Sequence, residues 1–141
     1  AVKTLNLTEG FLVANADTWL GSGVNLLEAE TSSALIAVNV RNSQRYGSLK
    51  FEGNKVIAFK EKSASAGGGY INSGLYHLLP EVFDGHKVGT SFSIESEVFP
   101  RLVAGRELGI VKLNESFIDI GIPEDYLKFC KWMELGKKDE L

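Results

Sequence analysis

A chain of 141 residues, 44% hydrophobic and 23% charged, has the size and composition of one globular domain that buries its core without a metal or disulfide staple. Its 15 basic and 18 acidic residues leave a net charge of -3, which argues against a polyanion-binding surface and so against nucleic acid or an anionic membrane as partner. The lone Cys130 excludes an internal disulfide framework and a Cys-rich zinc site, and no apolar run nears the roughly 18 residues that span a bilayer.

The opening Ala-Val-Lys-Thr-Leu-Asn lacks the apolar core of a secretory signal. A single thiol suits a reducing compartment, so a cytoplasmic setting is expected. Two details point the other way. Lys138-Asp139-Glu140-Leu141 spells a retention tail of the endoplasmic reticulum, and Asn6-Leu7-Thr8 and Asn114-Glu115-Ser116 spell glycosylation sequons. Strings this short recur by chance.

Residues 10–15 form a short apolar run that ends in Asn-Ala-Asp, a buried strand feeding a polar turn. Residues 24–30 follow Gly21 and Gly23 as a short helix. Residues 34–40 are continuously apolar up to Val38, which suits a strand covered on both faces. Ser48–Glu52 and Lys55–Phe59 flank Gly53-Asn54 as a hairpin. Residues 63–69 are small and loop-like, and residues 70–76 resume as a strand. Ser93 is placed to cap a helix with Glu95 in its first turn and Val98, Phe99, Leu102 and Val103 as its apolar stripe. Residues 109–113 and 116–120 read as strands. Pro123 opens a last helix, with Tyr126, Leu127, Trp132 and Met133 near one face. Strands alternating with helices predict an α/β architecture with a mixed sheet, in a single domain spanning residues 1–141.

Two acids stand out by position. Asp17 follows the first buried strand, and Asp119 lies in a later hydrophobic strand, followed by Ile120 and Gly121. Ligands of open α/β sheets sit beyond the carboxyl ends of strands, and carboxylates there can hold Mg²⁺ beside phosphate oxygens. The structural reading, a turn former and a hydrogen-bonded acid, is the default from spacing alone. Glu61 and Lys62 end the returning hairpin strand. They read either as a solvated charge pair or as an acceptor for sugar hydroxyls beside a cation for phosphate. Asn72 is polar within an apolar strand and needs a partner, either a sugar hydroxyl or the backbone. His77 reads as a satisfied strand residue, and Cys130 as packing. Neither a Gly-x-x-x-x-Gly-Lys-Ser/Thr loop nor a Gly-x-Ser-x-Gly elbow occurs.

Taken in order, several segments resemble one family, the sugar-1-phosphate nucleotidyltransferases. Residues 11–18, Phe-Leu-Val-Ala-Asn-Ala-Asp-Thr, resemble its Asn-Gly-Asp-Thr segment. Arg45-Tyr46-Gly47 resembles its sugar-contacting Tyr/Phe-Gly step. Phe59-Lys60-Glu61-Lys62 resembles Phe-x-Glu-Lys, and residues 70–76 resemble Ile-Asn-Ala-Gly-Ile-Tyr. Phe92-Ser93-Ile94-Glu95 with Val98-Phe99-Pro100 is similar to its Phe-Ser-Leu-Glu and Phe-Pro helix. Residues 117–126, Phe-Ile-Asp-Ile-Gly-Ile-Pro-Glu-Asp-Tyr, are the most specific match. They most resemble the branch acting on heptose 1-phosphate with GTP, beside the mannose-1-phosphate guanylyltransferases.

The resemblance implies a Rossmann-like nucleotide-diphospho-sugar transferase fold with a mixed sheet and flanking helices. It implies a reaction in which a sugar 1-phosphate oxygen attacks the α-phosphorus of a nucleoside triphosphate and pyrophosphate leaves, a chemistry of positioning and charge neutralisation. By motif position, Asp17 and Asp119 would hold Mg²⁺ and Lys62 would meet the sugar phosphate as the catalytic cation. Gly47, Glu61, Asn72 and, with a structural explanation of its own, Glu95 would contact the sugar.

The family's opening Gly-Gly-x-Gly-Thr-Arg loop and downstream Pro-Lys, which hold the triphosphate and base, have no match in these residues. The expectation is therefore a truncated fold, the C-terminal, sugar-phosphate-binding part of a nucleotidyltransferase, inactive by itself. The alternative is a binding or assembly module that keeps the fold without the chemistry. Ala16 replaces Gly, Ser63 stands where Pro is frequent, and Ile122 stands where Thr would cap the last helix. An uncovered edge on the 10–14 strand predicts association with another chain, most simply a homodimer.

Overall fold

A computed structural model describes residues 2–60, 67–114 and 116–136. It is organised on β3 (Ala34–Val40), whose alternate residues face opposite sides of the sheet. Both sides are covered. Leu35 and Ala37 lie in one apolar cluster with Tyr76, Phe99 and Leu102. Ala34, Ile36 and Val38 lie in a second one with Leu27, Leu75 and Leu113. Double burial is why the strand runs apolar without alternation.

Around β3 the sheet is mixed, as the alternation predicted. β6 (Gly69–Leu78) pairs with it antiparallel, and β7 (Gly109–Leu113) pairs with it parallel. β1 (Phe11–Ala14) adds to the far side of β6, and the hairpin of β4 (Ser48–Glu52) and β5 (Lys55–Lys60) lies beyond β7. A register shift between Leu35 and Ala37 is bridged by Ser73, fully buried, whose Oγ donates to the Ile36 carbonyl at 3.0 Å. The buried His77 finds the Ser32 carbonyl 2.9 Å from Nδ1, the satisfied strand histidine that was expected. β1 is an edge strand. Among the described residues it pairs with β6 alone, and Leu12 on it is exposed.

One face is covered by α1 (Val24–Glu28) through Leu27. The other is covered by a π-helical turn, Ile94–Val98, that runs into α2 (Phe99–Ala104). Ser93 caps this pair, its Oγ accepting the Ser96 N–H at 3.2 Å while Glu97 Oε1 accepts the Ser93 N–H at 2.9 Å. Each side chain thus satisfies an orphan donor of the helix start. Phe99, completely buried, stacks on Phe59 at 5.6 Å and tilts against Tyr76 at 5.1 Å.

The remaining elements form an annexe. β2 (Thr18–Leu20), too short to show a pattern in the sequence, pairs antiparallel with β8 (Phe117–Asp119). α3 (Pro123–Glu134) lies on this ribbon. Its expected apolar face does not form: Tyr126, Leu127 and Met133 are 51%, 66% and 42% exposed. The covered residues are Asp125 and Trp132, with Phe129 between them at helical spacing. Trp19 of β2 sets that choice, meeting Trp132 edge-on at 4.7 Å and Phe129 at 5.9 Å. A narrow ribbon covers a narrow stripe, so the outer apolar residues stay in water. Ile122 precedes α3 with extended backbone and gives it no side-chain cap, as expected of Ile in place of Thr. No helix among the described residues is long and apolar enough to cross a membrane.

Candidate active site

Asp17 and Asp119 lie about a hundred residues apart and become neighbours because β2 and β8 pair, with Thr18 opposite Asp119. The Ile120 N–H donates to the Asp17 carbonyl at 2.7 Å and closes the ribbon beyond them. Gly121 shows how the two side chains converge. A Cβ at that residue would lie 3.0 Å from Asp119 Oδ1 and 3.1 Å from Asp17 Oδ2. Both carboxylates therefore face one point over a bare Cα. Asp119 Oδ1 is held there by the Gly121 N–H at 2.9 Å. Among the described residues no group of three or more His, Cys, Asp or Glu gathers to hold a metal. Two carboxylates with room for water and phosphate oxygens fit Mg²⁺, which dehydrates reluctantly and is commonly held by one or two acids plus substrate phosphate.

These acids stand on the wall of an open cleft of about 640 Å³, which Gly47, Asn72 and Glu95 also line. That volume is within the usual range for small-molecule sites. Five of the seven residues singled out in the sequence thus meet in one place. The other two, Glu61 and Lys62, lie outside the described residues. They follow Lys60, the last residue of β5, which lines the cleft.

Each lining residue has a local reason for its place. Asn72 accepts the Gly74 N–H on Oδ1 at 3.1 Å and donates from Nδ2 to the Tyr76 hydroxyl at 2.9 Å. The backbone partner weighed against a sugar hydroxyl is therefore present, and the half-buried amide still borders the cleft. Burial, with a smaller contribution from the charge of Glu95, pushes the Tyr76 hydroxyl up to about 12, against the effect of the Asn72 bond. Tyr76 thus stays neutral and fixes Asn72. Gly74 bends β6 with φ +80°, and a Cβ there would collide with the Asn15 side chain at 2.6 Å. A Cβ on Gly47 would meet the Lys60 carbonyl at 2.8 Å, so two backbones passing closely already require glycine there. Glu95 is exposed in the first helical turn, where an acid suits the dipole.

One part of the site was not singled out from the sequence. Arg45 reaches across to both β8 and α3, with Nη2 3.5 Å from Asp119 Oδ2 and Nη1 bonded to Asp125 Oδ2. Lys128 Nζ donates to the other oxygen of Asp125 at 2.8 Å. The Arg45 bond, then the Lys128 bond, hold the buried Asp125 carboxyl below the ordinary aspartate value, and the same contact raises Arg45. Burial raises the Tyr46 phenol beside them. Arg45 and Asp125 stood in the sequence only as members of the Arg-Tyr-Gly and Pro-Glu-Asp-Tyr strings. Eighty residues separate them, and nothing in either string names the other.

A family model described as nucleotidyl transferase matches residues 8–139. Among similar proteins, the D-glycero-alpha-D-manno-heptose 1-phosphate guanylyltransferase of Campylobacter jejuni is 33% identical over 122 residues, covering 83% of this chain and 53% of that protein. Mannose-1-phosphate guanyltransferase 2 of Candida glabrata is 35% identical over 96 residues, covering 66% of this chain and 26% of its own length. The crystal structure of HddC from Yersinia pseudotuberculosis complexed with GMP-PN superposes with a TM-score of 0.77 and 29% identity over 94% of this chain and 59% of that one. The chain spans about half the length of the first of these relatives and a quarter of the second.

Proposed function

The chain belongs to the nucleotidyl transferase family, and we propose that its cleft is the acceptor side of a sugar-1-phosphate guanylyltransferase site. The observation that carries this reading is the convergence of Asp17, Asp119, Asn72, Gly47 and Glu95 on one cleft, with both carboxylates turned to a single point.

In this reading the sugar hydroxyls lie against Asn72, Gly47 and Glu95, and the 1-phosphate points toward Asp17 and Asp119. Asp17 and Asp119 would hold Mg²⁺, which would supply charge neutralisation at the phosphate oxygens. The rest falls to side chains. Asn72, locked by Gly74 and Tyr76, presents its amide edge in one orientation. Asp119 is oriented by the Gly121 N–H on Oδ1, with Arg45 3.5 Å from its second oxygen. Glu61 and Lys62, by their place in the family motif, are assigned to the sugar and to its phosphate. The phosphate oxygen so positioned attacks the α-phosphorus of GTP, and the bond to pyrophosphate breaks in line with it. Donor-side contacts of the family come from a Gly-Gly-x-Gly-Thr-Arg loop that these 141 residues do not contain. The isolated chain is therefore expected to bind acceptor and to release no measurable pyrophosphate from GTP.

Titrating the labelled chain with mannose 1-phosphate, watched by NMR, tests the reading. Saturable shifts at Gly47, Asn72 and Glu95 are expected, with a millimolar constant, about 4 kcal/mol. Asn72→Ala should weaken them. Shifts clustered elsewhere, or none at high millimolar ligand, would remove the assignment. Robust pyrophosphate release that disappears with Asp17→Ala would show that the donor side is built in another way.

A further inference from the structure

A second cleft, about 760 Å³, opens between residues 40–46 and α3. It shares Arg45, Tyr46, Phe117 and Asp119 with the sugar cleft, and α3 supplies much of the rest of its lining. Its chemistry is different. Val40, Ile118, Trp132 and Leu135 give it an apolar lining, and the Tyr46 and Phe117 rings meet edge to face at 5.7 Å in the shared wall. Its rim is cationic. Arg41, Arg45, Lys128 and Lys131 line it against two carboxylates, Asp119 and Asp125.

The charges are unequally spent. Arg45 and Lys128 are taken up by Asp119 and Asp125. Arg41 and Lys131 are exposed and make no ion pair with any described residue. Two cations without an ion pair to any described residue thus line an apolar, ring-bearing hollow, in a chain whose net charge is -3. A phosphate dianion matches the first feature, and guanidinium and ammonium donors bind one by charge-assisted hydrogen bonds. A flat apolar ring matches the second, since rings favour offset or edge contact with other rings. The volume suits a molecule carrying both.

We propose that this second cleft binds a small aryl or nucleoside monophosphate, its phosphate taken by Arg41 and Lys131 and its ring laid on the lining that Trp132 and Leu135 provide. The proposal does not rest on the sugar-phosphate reading of the neighbouring cleft, and phenyl phosphate, which carries no sugar, tests it separately.

Titrate the chain with phenyl phosphate, inorganic phosphate and phenol, following the Trp132 indole and the Arg41 and Lys131 amides by NMR. Phenyl phosphate should bind at least about tenfold more tightly than either fragment, because it alone meets both features. The double substitution Arg41→Ala, Lys131→Ala should weaken it by about tenfold or more. Both side chains are exposed, so the fold is retained, which an unchanged spectrum away from the cleft verifies. Asn72→Ala should leave phenyl phosphate binding as it was. Equal binding of inorganic phosphate would reduce the cleft to a cationic patch and overturn the proposal. So would indifference to the double substitution, or shifts confined to Asp17, Asn72 and Glu95.

Discussion

The β3-centred sheet and the β2–β8–α3 annexe are held by different physics. In the sheet, β3 is buried on both faces, and a fully buried Phe99 ties the helical layer to Phe59 and Tyr76. In the annexe, two three-residue strands carry a helix through one aromatic contact stripe and a three-residue charge tie, Arg45–Asp125–Lys128. The candidate metal acids, Asp17 and Asp119, ride on the annexe. Site geometry therefore depends on polar contacts that contribute little to the core, and fold and site should respond separately to substitution.

The largest effect is expected in the sheet. Phe99→Ala removes a ring from the centre of the core and should cost about 3–5 kcal/mol, read as a lower urea midpoint. If the annexe carried the stability instead, the loss would stay near 1 kcal/mol.

A smaller effect is expected from Asp125→Ala, which strands Arg45 and Lys128 without their common acid. Both cations are well exposed, 45% for Arg45 and 70% for Lys128, so water screens these pairs and the loss should be about 1 kcal/mol. Because the folded carboxyl is depressed below its ordinary 3.8, its stabilisation is present above that value and lost as the pH falls through the folded one. The wild-type chain should lose this increment on acidification below about pH 4, and Asp125→Asn should lack that part of the pH dependence. Identical acid profiles would show that the tie holds nothing.

Gly121→Ala sharpens the contrast further. The added methyl meets both candidate metal acids at about 3 Å, so one of them must turn away. Stability should change by less than about 1 kcal/mol, as at most exposed sites, while Mn²⁺ affinity falls by about tenfold or more. Equal affinity would mean that the two carboxylates do not share an ion.

The smallest effect concerns the sheet edge. β1 is unpaired on one side among the described residues, and open edges recruit strands. Sedimentation should show weak, concentration-dependent dimerisation that Leu12→Lys suppresses. A monomer at every concentration removes the homodimer.

The sheet was far more legible in the sequence than the annexe. The alternation around Gly53-Asn54 carries the period of a hairpin, the short unbroken apolar run at Ala34–Val38 suits a strand covered on both faces, and Ser93 capped the helix it was expected to cap. The face of α3 was misread because its partner, Trp19, sits on a strand of three residues that shows no period. The site divided in the same way. Asp17, Asp119 and Asn72 could be singled out because each is a polar residue within or just beyond an apolar run. Arg45 and Asp125 could not, since each looks like a solvated surface charge until the fold brings them together. Gly47 was singled out for sugar contact, and the nearby Lys60 carbonyl adds a backbone reason that no spacing reveals.

Relaxation of the chain's amide signals by Mn²⁺ in the presence of mannose 1-phosphate tests the central claim most directly. The account predicts selective broadening at Thr18, Asp119 and Gly121, strengthened by the sugar phosphate and abolished by Asp17→Asn together with Asp119→Asn. Broadening centred on other acids, or unchanged by that double substitution, would contradict it.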